Sequence, residues 1–357
     1  MNKSCGIEFI GNPQKLCFSG QKVRARAIVL VDKPTIVRQL LIKVRGSAGV
    51  YWNDLEKEGH MDEILYIDEQ IPLLNPDNGY KYIALNPGRS TFDFTFTIPL
   101  GCPTSFESKR GRVRYLVKLV FVTNFINSQK CVGFTVIKPL NLNNHGVNLA
   151  LPFCDDKEKK MWLGLSNNKI VINAKVPKTG FVPGEGIPIE VFIHNKSSSD
   201  IWELSIKLVL RAIHRTRSHK STHKEKISLA KIKYTKAQIG KKSCFKEMLM
   251  IPPTPPSYED VCYIFDVSYS VDVTAIFSGL HSELVLKVPV VIGSIPLGVT
   301  ELRKADAFSF ENYNMEVPEI AEAPFMDKSK FTESIEEYLL DMKFIPVFPK
   351  FNMKVKT

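Results

Sequence analysis

No apolar run in this 357-residue chain approaches the roughly 18 residues needed to cross a bilayer as a helix. No secretory hydrophobic stretch follows Met1-Asn2-Lys3-Ser4-Cys5-Gly6-Ile7, so the expected compartment is the cytoplasm. The seven cysteines are widely spaced and contain no C-x-x-C pair, which argues against a disulfide framework and for reduced thiols. No G-x-S-x-G, H-E-x-x-H, Walker-type or G-x-G-x-x-G motif occurs in the required strand and helix context, so no catalytic reading has an anchor. His214, His219 and His223, with Cys244 further on, lie in a Lys/Arg-rich stretch that repels a cation, and their spacing matches no structural zinc pattern. The adjacent carboxylates Asp155-Asp156 and Glu336-Glu337 lie in polar segments and read as solvated surface. Neither enzyme, metal nor cofactor is expected.

What the chain does have is a charge of +11 that is unevenly spread. Between 211 and 246 stand twelve Lys or Arg against Glu225 alone, whereas 305–341 holds ten acids against Lys328 and Lys330. A basic body therefore carries an acidic tail, and an anionic partner is expected for the body. Period-two alternation runs through 23–29, 92–98, 115–120, 187–193, 267–273 and 284–290, separated by Gly, Pro, Asn and Ser clusters. Many short strands with no helical pattern between them predict β-sandwiches.

The two halves also align on one another. At a shift of 164 residues Gly20 falls on Gly184, Val23 on Ile187, Ala25 on Ile189, Leu40 on Leu204, Ile42 on Ile206 and Ala48 on Ala212. Further on the shift falls to about 153, which sets Pro103 on Pro256 and, one residue out of step, Tyr115 on Tyr269. The expected organisation is a sandwich over 6–145, a connector over 146–168, a second sandwich over 169–297 and a flexible tail over 298–357. Within the tail, Ile335, Tyr338, Leu339 and Met342 share one face of a possible short helix over 333–342.

Several runs are more specific. Phe92-Asp93-Phe94-Thr95-Phe96-Thr97-Ile98-Pro99, Pro103-Thr104-Ser105-Phe106-Glu107, Gly111-Arg112-Val113-Arg114-Tyr115-Leu116-Val117-Lys118, Phe181-Val182-Pro183-Gly184-Glu185 and Asn195-Lys196-Ser197 resemble segments of the alpha-arrestin (arrestin domain-containing) family. Ile251-Pro252-Pro253-Thr254-Pro255-Pro256-Ser257 is similar to that family's proline turn, and Phe344-Ile345-Pro346-Val347-Phe348-Pro349 to a box in its tail. The resemblance implies an all-β fold of two tandem immunoglobulin-like β-sandwich domains, the arrestin fold, with a mostly disordered acidic C-terminal tail. It also implies a non-enzymatic adaptor in membrane-protein trafficking, endocytosis and ubiquitin-dependent sorting, located peripherally at the plasma membrane or endosomes. The partners it implies are cytoplasmic segments of membrane proteins and WW-domain HECT-type ubiquitin ligases.

Family members engage those ligases through tail P-P-x-Y motifs, which bind WW domains as polyproline II ligands. This tail has none, and the single P-P-x-Y, at Pro255, Pro256 and Tyr258, is either such a ligand or a turn ahead of a core strand. A coat or retrieval scaffold working without WW partners is the alternative. Arg217, Lys220, Lys224, Lys226 and Lys233 are the candidate contacts for anionic lipid or phosphorylated tails, against the plainer reading of lysines guarding an exposed sheet. Nucleic acid is disfavoured, because the basic run contains only Tyr234 and Phe245 as stacking aromatics.

Overall fold

The computed structural model describes residues 3–53, 59–76, 81–123, 128–161, 168–217, 221–278, 282–302, 308–326 and 344–352. In the first half, β1 (Lys3–Phe9), β3 (Lys22–Val31) and β8 (Gly88–Thr97) form one sheet. The facing sheet runs β2 (Leu16–Phe18), β11 (Ser128–Ile137), β10 (Gly111–Val122), β5 (Gln39–Asn53) and β6 (Gly59–Leu74), with β9 (Phe106–Glu107) also on β10. A short pair, β4 (Thr35–Val37) and β7 (Ile83–Leu85), closes one end. In the second half, β12 (Phe153–Lys160), β13 (Lys169–Val176), β15 (Gly186–Asn195) and β18 (Lys242–Met250) form one sheet. The other runs β14 (Gly180–Phe181), β21 (Leu284–Ile292), β20 (Phe265–Phe277), β16 (Ile201–Arg215) and β17 (Thr222–Thr235), with β19 (Tyr258–Cys262) on β20.

The same plan is built twice, as the internal alignment predicts. In each half a short strand pairs in parallel with the last long strand, β2 on β11 and β14 on β21, while the other pairings of these sandwiches are antiparallel. The alternation in sequence becomes alternation in burial: Val23, Ala25, Ala27 and Val29 on β3, and Ile187, Ile189, Val191 and Ile193 on β15, point into the two cores. Gly20 and Gly184 open the turns into β3 and β15 with φ of 86° and 90°, a left-handed conformation that a side chain disfavours.

Within the segment expected as a flexible tail, the described residues include paired strands and buried side chains. β22 (Glu319–Glu322) and β23 (Val347–Lys350) pair antiparallel, and Phe310, Phe348 and Phe351 are buried. Phe308 and Phe310 pack on Phe18 of the first half with ring centroids 4.4 and 5.3 Å apart, and the Val347 amide donates to Thr135 Oγ1 at 3.0 Å. On the second half, the Phe351 amide donates to the Pro183 carbonyl at 2.8 Å. The tail therefore packs on Phe18 of the first sandwich and bonds the backbone of the second, contacts that the loss of alternation in its sequence does not reveal. The helix expected over 333–342 lies outside the described residues.

Candidate functional site

The two proline turns decide how the P-P-x-Y reads. Tyr115 Oη donates to the Pro103 carbonyl at 2.7 Å, and Tyr269 Oη donates to the Pro255 carbonyl at 2.6 Å. The Val136 amide bonds Ser105 Oγ at 2.9 Å, and the Ile292 amide bonds Ser257 Oγ at 3.0 Å. Phe106 faces Val113 across β9–β10, as Tyr258 faces Val267 across β19–β20. Pro255-Pro256-Ser257-Tyr258 is thus the same turn as Pro103-Thr104-Ser105-Phe106, and Pro103 matches Pro255, one residue away from the partner expected from sequence.

Pro255, Pro256 and Tyr258 are all buried, Tyr258 to 5% exposure, and its ring packs 5.8 Å from Phe265, the residue that Phe106 approaches to 4.7 Å from the first sandwich. Of the two readings of Pro255, Pro256 and Tyr258, this placement fits the turn ahead of a core strand. A polyproline II ligand must lay its prolines and tyrosine on a groove, and here those faces are inside the protein.

The basic segment is less of an excess than its composition implies. Arg211 is bound to Asp272 at 2.5 Å, Lys233 to Glu203 at 2.8 Å, Lys236 to Asp200 at 2.7 Å and Lys246 to Glu190 at 2.9 Å, while Arg215 pairs with Asp266. Arg217, one of the candidate contacts, is engaged within the chain. It reaches across to the first half, where its guanidinium bonds Asp62 at 2.6 Å and its amide donates to the same carboxylate at 2.7 Å. That pairing holds the Asp62 carboxyl below its ordinary range, against the opposing effect of burial. Lys220 lies outside the described residues.

Lys224, Lys226 and Lys233 do come together, joined by Lys231, which the sequence reading passed over as a contact. All four are exposed on the outer face of β17, the edge strand of its sheet. Strict period-two alternation would send 224 and 226 to one face and 231 and 233 to the other. A bulge opposite Leu208 and Val209, at which Leu229 has no cross-strand partner, restores the phase and puts all four on one side. Lys207 of β16 faces Lys231 in register, and the Lys231 ammonium is held below the ordinary lysine range by Lys233, by burial and by Lys207. Lys224, Lys226 and Lys231 have no ion-pair partner among the described residues. The inner face of the same strand is sealed by Ile227, Ile232 and Tyr234, whose ring lies 4.2 Å from Phe245.

Comparison with known proteins matches 5–143 to "Arrestin (or S-antigen), N-terminal domain" and 166–297 to "Arrestin (or S-antigen), C-terminal domain". The chain belongs to the arrestin family. Among similar proteins, Arrestin domain-containing protein 4 of Homo sapiens is 27% identical over 94% of this chain and 84% of its own length. Arrestin domain-containing protein 17 of Caenorhabditis elegans is 24% identical over 80% of this chain and 69% of its own, and Arrestin domain-containing protein 1 of Rattus norvegicus is 24% identical over 79% and 62%. In this arrestin-family chain the described residues contain no group of three or more His, Cys, Asp or Glu placed to hold a metal, and no described helix is long and apolar enough to cross a membrane.

Proposed function

We propose that this arrestin-family chain is a non-enzymatic adaptor or scaffold in membrane-protein traffic: its double sandwich holds cytoplasmic segments of membrane proteins while the lysine face of β17 lies against an anionic membrane surface at the plasma membrane or endosomes. The observation that carries the membrane contact is the row Lys224, Lys226, Lys231 and Lys233 on one exposed face, backed by Lys207, with Lys233 the member bound to a carboxylate. Ammonium groups held together at such an edge repel one another, and anionic head groups relieve that repulsion. Because the groups are solvated, the attraction is screened within a Debye length of about 8 Å at physiological ionic strength. The test is cosedimentation of the full chain with vesicles of phosphatidylserine and phosphatidylcholine, against phosphatidylcholine alone. Binding is expected on the anionic vesicles only, and it should disappear at 0.5 M salt (about a 4 Å Debye length) and in the triple variant Lys224→Glu, Lys226→Glu, Lys231→Glu. Undiminished binding of that variant would remove the lysine face from the account.

Burial of Pro255, Pro256 and Tyr258 favours a second reading, a coat or retrieval scaffold that works without WW-domain ubiquitin ligases. Ligase recruitment through this motif requires the turn to leave its sandwich. A panel of HECT-ligase WW domains presented to the folded chain is expected to give no binding sensitive to Tyr258→Phe, and a signal lost in that variant restores the ligase-adaptor reading.

A further inference from the structure

Of the seven histidines, His60, His214 and His223 gather where the β5–β6 hairpin of the first sandwich meets the β16–β17 hairpin of the second. Trp52 and its cross-strand partner His60 stack with ring centroids 5.4 Å apart, and His214 and its cross-strand partner His223 stack at 6.1 Å. Trp52 also lies 5.9 Å from His223, so one column of four rings runs through the domain boundary, and His214 continues it onto Phe265 at 4.9 Å. We propose that this column is an acid-released latch between the two sandwiches, closed while His223 is neutral and opened when its imidazole takes a second proton.

The surroundings of His223 disfavour that proton. The loop before β10 supplies the Arg110 guanidinium, and β16 supplies His214. The nearest carboxylate, Glu225 on β17 itself, is already engaged by His214 Nε2 at 3.3 Å and by the Ser108 hydroxyl. The other carboxylates of the boundary are also taken: Asp62 of β6 by Arg217, and Asp266 of β20 by Arg215. His214, beside His223, is enclosed. It is fully buried, and its Nδ1 has no hydrogen-bond partner among the described residues where it faces Gly111, at which even a Cβ would stand 2.4 Å from that nitrogen. Burial, then Arg110, then His214 hold the His223 imidazole below its ordinary value, with Glu225 opposing them.

The sign of the effect follows. An opened body returns His223 to water and to an ordinary pKa of about 6.5, so the open form binds more protons than the closed one. The latch contributes in full above about pH 6.5 and is lost as pH falls toward the depressed value, with the closed-to-open ratio dropping about tenfold per pH unit for one proton. The ring column rests on no assumption about lipid or ligase partners.

Hydrogen exchange of the full chain between pH 7.5 and 5.5, corrected for intrinsic rates, reads this directly. Protection of the amides around Trp52, His60, Arg217 and His223 is expected to fall about tenfold per unit below pH 6.5, while the centres of β10 and β20 hold. His223→Gln should flatten the response. Arg110→Ala leaves the four rings in place but narrows the gap between the closed and open His223 values, so it should shrink the loss of protection at pH 5.5, whereas Glu225→Gln should enlarge it. A flat wild-type profile, an unchanged profile in His223→Gln, or an acid loss in Arg110→Ala as large as in wild type overturns the latch. Should His223→Gln fail to fold, the size of the acid loss in Arg110→Ala decides.

Discussion

Three buried tyrosines offer one chemical change with two opposite outcomes. Tyr115 and Tyr269 occupy the same place in the two sandwiches and donate to the carbonyls of Pro103 and Pro255, and the Tyr269 oxygen also takes the Thr254 hydroxyl at 2.9 Å. Tyr258 is as deeply buried, but its hydroxyl has no hydrogen-bond partner among the described residues. Removing a hydroxyl that satisfies a buried carbonyl sacrifices a net bond of about 1 kcal/mol and adds a penalty for the orphaned acceptor, so Tyr115→Phe should cost about 1 to 2 kcal/mol. Tyr269→Phe strands two groups and should cost about 2 to 3 kcal/mol. Tyr258→Phe removes an unsatisfied group and keeps the ring contact, so its expected effect lies between neutral and about 1 kcal/mol of stabilisation. Urea unfolding at neutral pH measures all three; with a slope of about 3 kcal/mol/M the midpoints should fall by about 0.3 to 0.7 M for Tyr115→Phe and stay or rise for Tyr258→Phe. If Tyr258→Phe falls as far as Tyr115→Phe, its hydroxyl has a partner and the unsatisfied-hydroxyl reading fails.

Gly184→Ala combines an unfavourable φ of 90° with a Cβ that would lie 2.2 Å from the Phe351 carbonyl oxygen, backbone that cannot rotate away. Its expected result is a tail released from the second sandwich, read as faster limited proteolysis C-terminal to residue 300 with the body intact. Asp62, held below its ordinary value of 3.8 by Arg217, contributes to the domain contact above that pH and loses the contribution as pH falls below it. Asp62→Asn should therefore weaken the contact at neutral pH and remove that acid-dependent step from the unfolding profile, and an acid limb identical to wild type would exclude this pair as its source.

Much of the architecture is legible in the chain because a half-buried strand imposes its period on the residues directly: Val23 to Val29 and Ile187 to Ile193 alternate in sequence as they do in burial. The repeat was legible for the same reason, down to Gly20 and Gly184 sharing a left-handed turn. The alignment slipped by one at Pro103 because prolines at 252, 253, 255 and 256 offer several equivalent matches, and a hydrogen bond from Tyr269, fourteen residues on, selects one. Arg217 was read as surface because its partner, Asp62, is 155 residues away on the other sandwich.

The sequence alone determined that this chain forms two related β-sandwiches, because burial of alternate side chains is a local, periodic demand that composition must obey. Tertiary structure decided the rest. It buried the P-P-x-Y, brought Lys224, Lys226, Lys231 and Lys233 to one face through a single bulge, paired Arg211, Arg215 and Arg217 with carboxylates, and folded parts of the acidic tail across both sandwiches. Each of these depends on a partner distant in the chain, and the energy of such a contact is written at neither end of it alone.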